Sequence, residues 1–322
     1  MSVDTKRVGT WLQGKWFLER LIGRGATAAV YAARHRIGRQ VAIKLLHAHH
    51  LGNAELCERF QREALAVNRF DHPGAVPVTD VDTAEDGTPF IVMELVQGET
   101  VAQRMKRGPI PVPELLDIAG QLLDVLAAAH ERGIVHRDIK PENLILDRTT
   151  GRLRVLDFGV AKFDGSVLTE KGALIGTAPY MAPEQVRGEE IDARADVFAV
   201  GATMFHAIAG RPIHLGTTVA EILYHGAMAA PPALQSVASV PDELGLVVDC
   251  ALSFDAADRY ADARAMQVEI RALSQHLSKA ATGPVRPAEV GRPEPEELPE
   301  ESMSEEGTAE TIMTNPGDAK RR

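Results

Sequence analysis

The chain has little of what marks secreted, membrane-spanning or nucleic-acid-binding proteins. It carries only two cysteines, Cys57 and Cys250, in 322 residues. That is too few for a disulfide framework and suits a reducing compartment. Each reads as a plain thiol rather than a redox sensor. Long hydrophobic runs are missing: the most apolar stretch, residues 197–209, falls short of the about 20 residues that cross a bilayer. It reads instead as a helix buried on all sides. Residues 1–10 lack an apolar core followed by a cleavage site, so no signal peptide is expected. Positive charge is in deficit, with a net charge of −10, which argues against nucleic acid or anionic lipid as a partner. There is no internal repeat. The expectation is a cytoplasmic protein with no membrane span and no nucleic-acid partner.

What is present is ordinary globular material, 45% hydrophobic and 25% charged, long enough for two lobes and a tail. Residues 17–22 and 30–35 read as strands flanking a glycine-containing turn, and 40–46 as a third. Residues 53–69 have helical spacing, with Leu56, Phe60, Ala64 and Val67 on one stripe. An apolar run at 90–95 precedes Gln97 and Gly98, which read as a break. Beyond it the chain turns helical, with helices expected at 113–130, 196–209, 244–253 and 263–277. A mostly β first lobe thus joins a mostly α second lobe near residue 96. From about residue 281, prolines mingle with glutamates and apolar residues are sparse, so this segment reads as disordered.

Several short patterns carry chemistry. Gly23-Arg-Gly-Ala-Thr-Ala28 lies between two strands; glycines there let backbone N–H groups approach a polyphosphate, although an ordinary tight turn explains them as well. In the strand of Val41, Ala42, Ile43 and Lys44, alternation puts Ala42 and Lys44 on one face. A flat ring over Ala42 and a phosphate near Lys44 fit, as does a solvated lysine on an edge strand. Glu63 sits on the apolar stripe of its helix, where a buried carboxylate needs a partner. Lys44 is the natural one; a glutamate at the stripe's margin reaching solvent is the alternative. The strongest pattern is His136-Arg-Asp-Ile-Lys-Pro-Glu-Asn143, followed by Asp157-Phe-Gly159 at the end of a strand over 153–156. Phosphoryl transfer needs these groups: a carboxylate for the attacking hydroxyl, a cation for the phosphoryl oxygens, and hard oxygen ligands for Mg²⁺.

On these residues, with Gly176-Thr177, Ala182-Pro-Glu184, Asp196 and Arg259, the chain resembles the eukaryotic-type protein kinases over residues 14–277. The run from Ile175 to Gln185 and the segment 255–260 make it similar to bacterial Ser/Thr kinases. The resemblance implies an α+β, two-lobed protein kinase fold, with a β-rich N-lobe at 14–96 and an α-helical C-lobe at 97–277. An N-terminal extension occupies 1–13 and an acidic Pro/Glu-rich tail 278–322.

The same resemblance implies Asp138 as catalytic base and Lys140 on the γ-phosphate. Asn143 and Asp157 would bind Mg²⁺. ATP would lie against Ile22, Gly23, Arg24, Gly25, Ala26, Thr27 and Ala28, with Lys44, held by Glu63, on its α/β-phosphates. Val30, Ala42 and Ile145 would sandwich adenine, Met93 would be the gatekeeper, and the backbone of Glu94 to Val96 would bond the ring edge. Thr177 would lie under the substrate residue. Glu184 with Arg259, and Asp196 holding the catalytic loop, are structural. Arg137, beside Asp138, implies a cationic pocket filled when Thr169 is phosphorylated; Lys162 would add charge, and Ser166 is the neighbouring hydroxyl. Implied partners are protein substrates with Ser or Thr, the chain itself through autophosphorylation, and phosphothreonine-binding domains reading Thr308, Thr311 or Thr314.

Departures from the family pattern are also expectations. Ala28 replaces a glycine, which should raise the KM for ATP modestly. Ile213 and His214 stand where Pro-Phe is common, altering a docking surface. His47, His49 and His50 cluster without metal-ligand spacing and read as a solvated loop. The rival readings are a pseudokinase scaffold or nucleotide sensor, and a small-molecule phosphotransferase.

Overall fold

Alternation and turn chemistry build the first lobe. In this computed structural model, which describes residues 3–158 and 176–282, a one-turn helix α1 (Val3–Lys6) leads into a six-stranded antiparallel sheet. Its strands are β1 (Trp11–Leu12), β2 (Trp16–Arg24), β3 (Ala28–His35), β4 (Gln40–Leu46), β5 (Val78–Thr83) and β6 (Pro89–Met93), in the order β1-β2-β3-β4-β6-β5. Helix α2 (Ala54–Val67) crosses one face. On that face Ala42 and Leu46 of β4 pack with Phe60, Ala64, Ile91 and Met93. On the other, Val41, Ile43 and Leu45 pack with Leu18, Tyr31 and Phe90. The period-2 pattern of β4 thus serves two cores.

The strand β5 is absent from the sequence reading, because Thr79, Asp80 and Asp82 break its apolar pattern and its residues are only partly buried. Residues of the N-terminal extension are folded onto the sheet. Trp11 and Leu12 pair with Phe17 and Trp16, and Leu18 exchanges backbone bonds with Gly9 and Thr10.

A break follows the apolar run, residues 94–97 carrying no regular structure, but Gly98 itself starts a strand. Strand β7 (Gly98–Thr100) pairs with β8 (Leu144–Asp147), which pairs with β9 (Leu153–Val155). A Cβ at Gly98 would sit 2.1 Å from the Leu146 carbonyl oxygen, so this glycine permits close strand approach rather than chain reversal.

The second lobe is helical: α3 (Val101–Met105), α4 (Val112–His130), α5 (Pro183–Arg187), α6 (Ala193–Ala209), α7 (Val219–Met228), α8 (Asp242–Ala251) and α9 (Ala263–Thr282). Helix α6 is apolar on every side and buried along most of its length, as its composition predicts. Helix α7 escaped the sequence reading. The two lobes belong to one compact unit ending at Thr282. The two-lobed α+β expectation is met. Among the described residues no helix is long and apolar enough to cross a membrane.

Ile213 and His214 are buried, so the expected change of a docking surface is a change of packing instead. Gly159, Lys162, Ser166, Thr169 and the tail from 283 with Thr308, Thr311 and Thr314 lie outside the described residues.

Helix α6 also anchors the segment that follows α4. Asp196, in its first turn and fully buried, accepts from the backbone N–H of His136 at 2.7 Å and of Arg137 at 2.8 Å. It also pairs with His130 Nε2 at 2.9 Å. Burial by itself would raise this carboxyl, but the bond and charge of His130, with His136 beside it, hold it below its ordinary value.

Two expected outcomes follow. Gly98→Ala destabilises the fold by about 1–3 kcal/mol through overpacking, read from the denaturant midpoint. A carboxyl with a depressed folded pKa contributes stability above its unfolded value of about 4 and loses it as pH falls through the folded value. The difference in melting temperature between wild type and Asp196→Asn is therefore largest near neutrality and shrinks below about pH 4. A difference that stays constant down to pH 3 would sink this account.

Candidate active site

The site is assembled on the backbone that Asp196 holds. Arg137 adopts φ 65° and Asp157 φ 52°, left-handed conformations that a non-glycine residue keeps only when its surroundings over-determine it. At Arg137 the constraints are its N–H on Asp196 and its carbonyl, which accepts from Gln185 Nε2 at 3.2 Å. The His136 ring ties this loop to the strand before Asp157, with Nε2 2.9 Å from the Leu156 carbonyl. Leu156 N–H in turn donates to the Asn143 carbonyl at 2.9 Å. Phe158, fully buried, packs between the rings of His136 at 4.5 Å and Phe70 at 4.9 Å.

Asp138 is the centre. It is 2% exposed, and donors surround its carboxylate. Lys140 Nζ lies 3.1 Å and Thr177 Oγ1 2.9 Å from Oδ1. Asn143 Nδ2 is 2.9 Å from Oδ2 and 2.8 Å from the Asp138 carbonyl. Lys140 also donates to Thr177 Oγ1 at 2.7 Å. The structure thus joins Thr177 directly to Asp138 and Lys140 across the segment outside the described residues. Sequence reading had placed Thr177 only beneath the substrate residue, since nothing in local spacing shows this triangle.

Lys44 Nζ is 3.0 Å from Asp157 Oδ1, so β4 and the end of β9 meet across the lobes. The Glu63 side chain, the expected partner of Lys44, is outside the described residues. Val30, Ala42, Met93 and Val96 share one apolar cluster, whereas Ile22 is 39% exposed and Ile145 lies across on β8. Ala28, at the place of the third glycine, opens β3 with its methyl group buried in that same cluster.

Behind the residues joining the lobes, sequence reading missed an ion pair. Arg154 reaches Glu94 at 2.5 Å and 3.1 Å and lies 3.8 Å from Asp147. Burial alone would raise Asp147, but bonds from Thr149 and Thr150 and the nearby Arg154 hold it low. In the second lobe Glu184 and Arg259 form a buried bidentate pair at 2.7 Å and 2.9 Å.

A divalent cation fits the donor set. Both Asn143 amide hydrogens are given to Asp138, which turns its amide oxygen, a hard ligand, toward other use. Asp157 adds a partly exposed carboxylate. Among the described residues no group of three or more His, Cys, Asp or Glu is gathered as a metal cage. Cys57 and Cys250 are free thiols.

Comparison with known proteins agrees with this arrangement. The family described as protein kinase domain matches residues 16–270. The serine/threonine-protein kinase PknL of Mycobacterium bovis is 35% identical over 272 residues, covering 83% of this chain and 67% of that protein. Pkn1 of Myxococcus xanthus is 37% identical over 276 residues, 83% of this chain and 40% of the relative. PrkC of Bacillus subtilis is 34% identical over 268 residues, 82% and 41%. The chain therefore spans between 40% and 67% of the length of these relatives. With a domain match over most of its length and a carboxylate-centred loop of this geometry, the chain belongs to the protein kinase family.

Proposed function

We propose that the chain transfers the γ-phosphate of ATP to serine or threonine hydroxyls of proteins, with Asp138 as the residue that orients the hydroxyl and takes its proton. The observation that carries this reading is the convergence of Lys140, Asn143 and Thr177 on one buried carboxylate. Three donors fix the oxygens of Asp138 in place, as an acceptor for a single incoming proton requires. Lys140, already at this carboxylate, supplies the cation that offsets charge on the phosphoryl oxygens. Its place two residues after Asp138 is also the basis for Ser/Thr over Tyr, and the relatives named serine/threonine kinases support that choice.

Asn143 and Asp157 would hold Mg²⁺, which when bound neutralises phosphate charge. Lys44 anchors the α/β-phosphates, and the turn between β2 and β3 offers backbone N–H groups to the polyphosphate. Adenine lies against Val30, Ala42 and Ile145, reading its edge on the backbone of residues 94–96. The Arg154–Glu94 pair keeps that backbone in place. Thr177 sets the height of the substrate residue relative to Asp138. The free thiols of Cys57 and Cys250 suit a cytoplasmic setting.

Regulation by phosphorylation of Thr169 belongs to the same reading. Arg137 Nε is buried and has no hydrogen-bond partner among the described residues, a state that an incoming phosphate would relieve. The tail threonines Thr308, Thr311 and Thr314 are secondary sites, for autophosphorylation and for phosphothreonine-binding partners.

Asp138→Asn should slow phosphoryl transfer by about 10²–10⁴-fold while Mg²⁺–ATP still binds, measured with labelled ATP and a generic protein substrate. Near-native turnover in that variant would exclude Asp138 as the base. Thr169→Ala should be less active than wild type after incubation with Mg²⁺–ATP, and phosphatase treatment should bring wild type down to the variant's rate. Equal rates for both proteins before and after phosphatase would rule out the switch.

A further inference from the structure

Asp4 precedes residues 16–270, the part matched to the kinase domain, yet it is 7% exposed. Helix α1, which carries it, is four residues long, too short to hold itself together in water. Its place is fixed by what it touches. Tyr31 Oη donates to the Asp4 carbonyl at 2.9 Å, and burial pushes that phenol up to about 12, so it remains a donor. Arg7 pairs with Asp86 at 2.5 Å and bonds Thr88 at 3.2 Å. Val8 packs against the outer core of the lobe.

The Asp4 carboxylate itself faces Arg24 and His47. Arg24 Nε is 2.8 Å from Oδ2, and His47 Nδ1 is 3.2 Å from Oδ1. His47, 8% exposed, was expected in a solvated loop. It is instead a bridge. Its other ring nitrogen, Nε2, lies 3.0 Å from the Gly25 carbonyl, and its backbone N–H donates to Thr27 O at 2.9 Å. The ring thus lies between a carboxylate and a carbonyl, both of them acceptors. The rings of His49 and His50 lie 5.5 Å and 6.4 Å from it.

Arg24 ends β2, and Gly25 and Thr27 belong to the turn between β2 and β3. We propose that Asp4 and His47 are positioning residues for ATP: a strut from the N-terminal segment that fixes the Gly25 carbonyl, and with it the N–H groups of the phosphate loop. The inference rests on the reading of residues 22–28 as the phosphate-binding turn. A loop pinned before nucleotide arrives loses less freedom when it closes on the phosphates, so the strut acts on ATP affinity and leaves the transfer step alone. Asp4 adds a second hold by drawing in the Arg24 guanidinium next to Gly25.

The test measures Mg²⁺–ATP dissociation constants by calorimetry, together with KM and kcat, for wild type, Asp4→Ala, His47→Ala, His47→Gln and Arg7→Ala. Asp4→Ala keeps the backbone acceptor for Tyr31, so it remains measurable even if His47→Ala fails to fold. Loss of one or two hydrogen bonds should raise KM and the dissociation constant about 3- to 10-fold in Asp4→Ala and His47→Ala, with kcat within about twofold. The double variant should be less than multiplicative, as for residues in one network. His47→Gln keeps an N–H donor for Gly25 and should recover part of the loss. Arg7→Ala removes one anchor of the segment without touching the turn and should raise KM less than Asp4→Ala does. Unchanged KM in both Asp4→Ala and His47→Ala, a loss confined to kcat, or an equal rise in Arg7→Ala overturns the strut. A wild type that binds no Mg²⁺–ATP overturns the phosphate-loop reading, and the strut with it.

Discussion

A single buried carboxylate organises this molecule. Asp196 holds the backbone N–H groups of His136 and Arg137 and the ring of His130. Arg137 could not otherwise be expected to keep a positive φ, and Asp138, next in the chain, points where it does because Arg137 is bent. The buried helix α6 is what makes the arrangement firm. An apolar cylinder packed on all sides cannot shift without opening the core, so a charge planted in its first turn is a fixed point. Isolated, such a charge would be costly to bury. Here its oxygens are satisfied by donors on His130 and on the segment that carries Asp138.

From that fixed point the constraint spreads by short links. The His136 ring reaches Leu156, Leu156 reaches Asn143, and Asn143 returns to Asp138. Phe158 fills the space between His136 and Phe70. Asp157 is thereby placed where Lys44 of the other lobe can pair with it. Arg154 and Glu94 make another link between the lobes, and Val155 exchanges backbone bonds with Gly74 and Val76 across the same boundary. The two ionic links are directional, and the backbone bonds and ring packing beside them add to the hold between the lobes.

Much of this was legible in the chain because phosphoryl transfer needs particular functional groups close together, and the fold supplies most of them from two short segments. Asp138, Lys140 and Asn143 lie within six residues, and Asp157 ends a recognisable strand. The faces of β4 were readable for a similar reason: Val41, Ile43 and Leu45 against Ala42 and Lys44 is a two-residue period. What escaped were pairings between distant segments. Thr177 with Asp138, Arg154 with Glu94, and Asp4 with His47 leave no local signature, since each partner taken singly is an ordinary surface-type residue. Strand β5 was lost because an edge strand with aspartates does not alternate cleanly, and the short strand that Gly98 opens was lost because a glycine gives no side-chain pattern to read.

His47 shows why composition underdetermines such positions. Three histidines in four residues, in a connection after a strand, suggest solvent or metal. The residue that decides between these lies 43 positions earlier, in a segment too short to fold alone. Once Asp4 is brought against the sheet by Tyr31, a buried imidazole between a carboxylate and a carbonyl becomes a favourable arrangement. Its energy derives from polar contacts in a place that excludes water. The outcome is a physical connection between the N-terminal segment and the turn proposed to hold the phosphates. A segment outside the matched domain can then influence nucleotide affinity without contributing any atom to the site.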